Sequence, residues 1–171
     1  VPPRHLTIRS ARRDDVDDVA AIERRAFSDP WSANSFRALF GNPLVHFAVA
    51  EDALTGQVVG YVVMWFVVDE SEIANLAVSD NLRRAGVGAR LLDHALEAAQ
   101  TRQCAVVFLE VRESNGAARA LYARRASRLP RGIAGAHGRG RHAGTGVRPA
   151  ASASESGPAA HVPRGPARSR S

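Results

Sequence analysis

Apolar positions recur with two periods along the first 125 residues and with none afterwards. HLTIRSA (5–11) sets Leu6 and Ile8 at strand period, as in a strand with one buried face. DDVDDVAAIERRAF (14–27) instead gathers Val16, Val19, Ala20, Glu23 and Phe27 on one helical stripe. Acids lead that stretch and Arg24 and Arg25 close it, the order a helix dipole favours. In SDPWSANSFRALFG (28–41), Ser32 reads as an N-cap and Gly41 as a stop, predicting a second, short helix.

HFAVAEDALTGQVVGYVVMWFVVDE (46–70) reads as two strands joined by a turn around Thr55 and Gly56, and SEIANLAVS (71–79) as a further strand. GVGARLLDHALEAAQTR (86–102) is the clearest helix, with Val87, Leu91, Leu92, Ala95, Leu96 and Ala99 on one face. AVVFLEVR (105–112) returns to strand period, and 115–125 to helical spacing through Ala118, Leu121 and Tyr122. The order βααβββαβα predicts an α+β, or mixed α/β, domain over residues 1–125 whose last strand pairs in parallel.

Composition changes the picture after Arg125. Residues 126–171 contain no aromatic residue and few large aliphatics, and Ala, Gly, Arg, Pro and Ser dominate. Such a segment buries too little apolar surface to offset its ordering entropy, so 126–171 is expected to be a disordered low-complexity tail. The formal net charge of +6 belongs to that tail, which holds eight Arg and one Glu; the first 125 residues hold fifteen Arg and sixteen acids. The predicted domain thus carries no charge signature of nucleic-acid binding, leaving only non-specific attraction through the tail.

No run approaches the roughly 18 apolar residues of a membrane helix, and the first residues carry no signal-type apolar stretch. The single cysteine, Cys104, reads as a small buried residue, and the chain as cytoplasmic. The histidines lack ligand spacing, and no metal is expected.

Chemistry first suggests itself where the strand ANLAVS runs into NLRRAGVGARLLDHAL (81–96). Gly86 and Gly88 allow a tight turn that aims several N–H groups at one point, and the helix N-terminus adds partial positive charge. Arg83 and Arg84 stand where charge-assisted hydrogen bonds to phosphate are possible. A Walker loop is excluded because the chain has no Lys, and a Rossmann fingerprint because Leu91 occupies the third glycine position. From the residues alone, a phosphate cradle and an ordinary helix start remain open.

RRAGVG (83–88) resembles the Q/R-x-x-G-x-G/A signature of the GNAT superfamily of N-acetyltransferases, and the resemblance covers roughly residues 5–125. DPWS (29–32), DESEIANLAV (69–78), LEVRESN (109–115) and ALY (120–122) look like its ribosomal-protein-alanine N-acetyltransferase branch. The resemblance implies the GNAT fold and acetyl-CoA as acyl donor. It places Arg83, Arg84, Ala85, Gly86, Val87, Gly88 and Ala89 at the pyrophosphate, Leu76, Ala77 and Val78 along the pantetheine and thioester, and Asn115 at the coenzyme. The implied acceptor is a protein N-terminus, a ribosomal one by the branch. A relative acting on a lysine or small-molecule amine, and a non-catalytic remnant whose tail binds RNA, stand as alternatives.

Acyl transfer to an amine needs a base for the amine and an acid for the leaving thiolate. In AVVFLEVR, Val106, Phe108 and Glu110 share one face and Val107, Leu109 and Val111 the other. A carboxylate at Glu110 is therefore expected to be partly desolvated, and the resemblance gives it the role of base. The resemblance likewise makes Tyr122 the acid and puts Trp31 on the peptide-binding side. Asp69, Glu70 and Glu72 can attract a basic N-terminus, with Glu70 as the expected acceptor contact, and a solvated turn explains them equally well.

The resemblance ends abruptly. Family members continue past the Tyr helix with Gly-Phe, a sixth strand and a hairpin to a seventh, where this branch carries an Arg and a Tyr pair. Here Arg125 is followed by ASRLPRGIAGAHGRGRHAG. The expectation is a fold without its last two strands, the strand over 105–112 keeping an unpaired apolar edge. All 23 basic residues are Arg, a mark of GC-rich coding, and GC-rich DNA read out of frame yields this tail composition. A frameshift near codons 124–127 is the expected cause.

Overall fold

A six-stranded mixed sheet forms the spine of the computed structural model, which describes residues 5–110 and 116–136. The strands lie across the sheet in chain order: β1 (Leu6–Ser10), β2 (Val45–Asp52), β3 (Val58–Val67), β4 (Glu70–Val78), β5 (Val106–Glu110) and β6 (Ile133–Ala136). β1 to β4 pair antiparallel, whereas β4–β5 and β5–β6 pair parallel. A short hairpin suffices for an antiparallel pair, and Gly56 (φ +71°) sits in the β2–β3 turn. A parallel pair needs a crossover, which α3 (Val87–Thr101) supplies between β4 and β5.

Each face of the sheet is covered separately. α1 (Val16–Ala26) and α2 (Ala33–Arg37) pack Val16, Val19, Ala20 and Phe36 against Val49, Tyr61, Val63, Ala74 and Ala77. α3 and α4 (Gly116–Ala123) cover the other face, where Leu91, Leu92, Leu96 and Tyr122 meet Val62, Met64, Ile73, Leu76, Val107 and Leu109. The buried face of α3 is the stripe its periodicity predicts. Ser32 caps α2 by accepting from Ser35 N–H at 3.1 Å, and Cys104 is buried. The tightest approach is at Gly60 on β3: a Cβ there would lie 3.0 Å from both the Ala77 carbonyl oxygen and Leu91 Cδ1.

The tail expectation needs correcting over its first eleven residues. A 3-10 turn (Ala126–Arg128) and β6 follow Arg125, so the β5 edge is paired from Val107↔Ile133 to Glu110↔Ala136. Leu129 is buried against the α3 core, with Ile133 packed beside it. Arg125 reaches both oxygens of Asp93 on α3 at 2.6 and 2.9 Å, and Arg128 reaches Oδ1 at 2.6 Å. Averaging the tail's composition over 46 residues hid this start, which holds two large aliphatics and two Arg within reach of acids. Residues 137–171, the rest of that expectation, lie outside the described residues.

Candidate active site

The site is organised by a bulge in β4. Its pairing with β3 passes from Met64↔Ile73 to Val63↔Asn75 and skips Ala74. Ile73 and Leu76 face α3, whereas Ala74 packs toward α1 and Asn75 hydrogen-bonds to α1. The described pairing of β4 with β5 runs from Glu70↔Val106 only as far as Ile73↔Leu109, where the bulge begins. Beyond it stand Leu76, Ala77 and Val78, the segment expected along the donor.

On the α3 face, β4 leads through a 3-10 turn (Asp80–Leu82) into the glycine loop. Arg84 (φ +64°) and Gly86 (φ +81°) both take the left-handed conformation there. Gly86 is the N-cap of α3, and no side chain among the described residues caps that end. The first N–H groups of the helix thus point out with its dipole behind them, an arrangement that favours an anion. A Cβ on Gly88 would meet Val78 Cγ2 at 3.7 Å and Leu76 Cδ2 at 3.9 Å, so the loop lies flush on β4. Val87 is buried and anchors the helix start, while Ala85 and Ala89 are half-buried. Arg84 is exposed, and Arg83 forms an ion pair with Asp80.

Tyr122 belongs to the same face. It is buried beside Leu109 and Leu96, and burial raises its phenol above the ordinary value. The hydroxyl therefore keeps its proton through the neutral range. Asn115 lies outside the described residues.

Glu110 closes β5 on the opposite face, half-buried, because Val107 and Leu109 turn inward to α3. Paired strand residues share a face, so Trp65↔Glu72 and Glu72↔Phe108 form one row on the α1 side, with Glu110 next along β5. Burial, and then the charge of Glu110, raise the Glu72 carboxyl above its ordinary range. Two carboxylates so placed form a ready proton acceptor. Trp31 packs on the same side, its ring centroid 5.6 Å from that of Phe36. Glu70 is half-buried and faces Arg131, just before β6, which lies 3.1 Å from Asp69 and 3.4 Å from Glu70.

Sequence reasoning missed one group. Glu23 is fully buried on α1 and receives Trp31 N–H at 2.9 Å, Asn75 Nδ2 at 3.1 Å and the Tyr61 hydroxyl. Its signal was a charged residue on the apolar stripe of α1. Among the described residues no three of His, Cys, Asp and Glu gather as a metal site, and no helix is long and apolar enough to cross a membrane.

Residues 16–126 match the acetyltransferase (GNAT) family. The [ribosomal protein bS18]-alanine N-acetyltransferase of Escherichia coli K12 is 34% identical over 116 residues, covering 68% of this chain and 76% of that protein. The N-alpha-acetyltransferase of Sulfurisphaera tokodaii is 32% identical over 132 residues, covering 70% and 78%. Among solved structures, the ribosomal-protein-S18-alanine N-acetyltransferase from Escherichia coli superposes with a TM-score of 0.62 at 30% identity, over 70% of this chain and 75% of that one.

Proposed function

Since the chain belongs to the acetyltransferase (GNAT) family, we propose that it carries an acetyl group from acetyl-CoA to the α-amine at the N-terminus of a protein, with a ribosomal protein as acceptor. The acceptor rests chiefly on the 34% identity to an enzyme named for alanine N-acetylation of ribosomal protein bS18. The division of the sheet into two faces supports the chemistry.

The donor fits the α3 face. The uncapped amides at the start of α3, from Gly86 to Ala89, suit a pyrophosphate, the exposed Arg84 adds positive charge at its edge with the Asp80-paired Arg83 beside it, and Leu76, Ala77 and Val78 suit the pantetheine arm. Acetyl-CoA supplies the acetyl group as an activated thioester. On the other face Glu110 takes the proton of the incoming amine at its carboxylate, directly or through a water, with Glu72 beside it. An α-amine has a reference pKa of about 7.7–8.0 against about 10.4 for lysine, so a modest base suffices. Tyr122, held protonated by burial, offers its phenol proton to the leaving sulfur. Trp31 walls the acceptor side.

The test is acetyl-CoA turnover by the full chain on three acceptors: N-terminal peptides, N-blocked lysine peptides and small amines. Mass spectrometry locates the acetyl group. Transfer to the α-amine is expected, and Glu110→Gln should lower kcat roughly 10²–10⁴-fold with donor affinity unchanged. Transfer confined to lysine or small amines would overturn the acceptor assignment. Full activity in Glu110→Gln would remove that residue as base.

A further inference from the structure

Glu23 takes no part in the proton transfers above, yet it is the charged residue most completely buried among those described, at 0% exposure. A carboxylate withdrawn from water is costly unless hydrogen bonds replace the lost solvation. Its donors come from three separate elements. Trp31 N–H, in the loop between α1 and α2, reaches Oε1 at 2.9 Å. Asn75 Nδ2, at the β4 bulge, reaches the same oxygen at 3.1 Å, and the Tyr61 hydroxyl on β3 donates to Oε2. Asn75 is also 0% exposed, and its Oδ1 has no hydrogen-bond partner among the described residues, so the bond to Glu23 is what orients its amide. Phe36 lies against both Trp31 and Tyr61, with centroids 5.6 and 5.5 Å away, which seats the aromatic cluster on the same support.

Stability alone gives a weak reason for this arrangement, because a well-packed apolar group often replaces a buried charge without loss. A carboxylate does something an apolar side chain cannot. Its two oxygens fix a backbone N–H of the α1–α2 loop and a side chain of the bulged strand at set distances from each other. The loop carries Trp31 and, one residue later, the Ser32 cap of α2; the strand is bulged where it meets the end of β5.

We propose that Glu23 is a positioning residue for the acceptor, holding the Trp31 wall in register with the β4 bulge beside Glu110. This rests on the acetyl-transfer reading above, and on Trp31 lying at the acceptor side. The tie is on the α1 face, whereas the donor loop is on the α3 face. Cutting it should therefore disturb acceptor binding and spare donor binding.

Glu23→Gln and the milder Tyr61→Phe test this in the full chain. Donor Kd is read by calorimetry, KM and kcat with whichever amine the wild type acetylates, and Trp31 amide exchange by NMR. Acceptor KM should rise about tenfold in Glu23→Gln and less in Tyr61→Phe, while donor Kd stays within about twofold and kcat falls less than KM rises. Trp31 amide exchange should quicken in Glu23→Gln. A lowered melting temperature with unchanged KM and unchanged Trp31 exchange would make Glu23 merely structural and overturn the proposal. So would a donor Kd that shifts in parallel with KM. A wild type that acetylates lysine but no N-terminal peptide would sink the acceptor assignment and leave the KM test of Glu23 intact. A wild type with no turnover would leave the Trp31 exchange rate to decide, and unchanged exchange in Glu23→Gln would again overturn the tie.

Discussion

Acid should weaken this fold in two separable stages, and His46 sets the first. It lies on β2 with its ring centroid 5.1 Å from that of His94 on α3. Arg102, just past α3, places its guanidinium 4.2 Å over the Phe66 ring and donates to the Pro43 carbonyl at 2.7 Å. His46 Nε2 is buried without a hydrogen-bond partner among the described residues. Burial, and then the positive charges of His94 and Arg102, lower His46 from 6.5 to about 4. The folded state thus binds this proton more weakly than the unfolded chain does. The contribution of neutral His46 is whole above pH 6.5 and is lost as pH falls from 6.5 toward 4. At about 1.4 kcal/mol per pKa unit the ceiling is roughly 3 kcal/mol, and partial solvent screening brings it to about 1–3 kcal/mol. That is a large share of a stability of about 5–15 kcal/mol. Paired carboxylates act lower. Arg125 holds Asp93 below 3.8; in Asp15 burial pulls upward, but hydrogen bonds from Arg9 and the Arg12 N–H outweigh it. Their stabilisation is therefore complete above pH 3.8 and is lost beneath it. Glu72, raised by burial and Glu110, has the opposite sign and offsets part of the loss above pH 4.5. Urea melts of the wild type and His46→Leu between pH 7.5 and 4.5 measure the first stage. The wild type should lose stability across that range and the variant should stay nearly flat. Equal slopes in the two proteins, or a flat wild type, would refute the reasoning.

Two glycine substitutions separate packing from ligand binding. Gly60→Ala forces a Cβ within 3.0 Å of a backbone oxygen that cannot move alone, so urea melts should show a loss of about 1–3 kcal/mol. Gly86→Ala meets no atom of the described residues within 4 Å but must hold φ +81°, at about 1–2 kcal/mol. If the loop can keep its shape only by bearing that strain, donor Kd should rise about fivefold or more by calorimetry, and an unchanged Kd would detach the loop from the donor.

What could be read from the chain depended on how local its cause was. The stripe of α3, the Ser32 cap and the alternation in β5 are fixed by neighbours within a few positions, and the structure keeps them. Gly86 was legible for the same reason, since its conformation belongs to one turn. Glu23 was only half legible. Its place on the buried stripe could be seen, but its partners Tyr61 and Asn75 stand 38 and 52 positions away. The β4 bulge was hidden as well, because SEIANLAV shows no break in its apolar character where Ala74 drops out of the ladder. The neighbour of Glu70 was hidden for a further reason: Arg131 lies in a segment whose average composition argued against any structure.

That segment decides the last prediction. The family match stops at residue 126, within a residue of where the composition changes. β6 does pair with β5, but its four residues IAGA offer one large side chain to the apolar edge of that strand. Phe108 pairs with Ala134 and stays 39% exposed, which a strand selected for this position would correct with a larger neighbour. A frame change near codons 124–127 accounts for the sharp boundary, the Ala, Arg, Gly and Pro excess, and this poor cover together. It predicts that one alternative frame after Arg125 encodes Gly-Phe followed by two segments of strand period. A chain built from that frame should cover Phe108 and gain about 1 kcal/mol or more of stability in urea melts. Re-sequencing the gene settles the first point: if neither frame encodes that pattern, the frame change is wrong and IAGA is the native edge of the sheet.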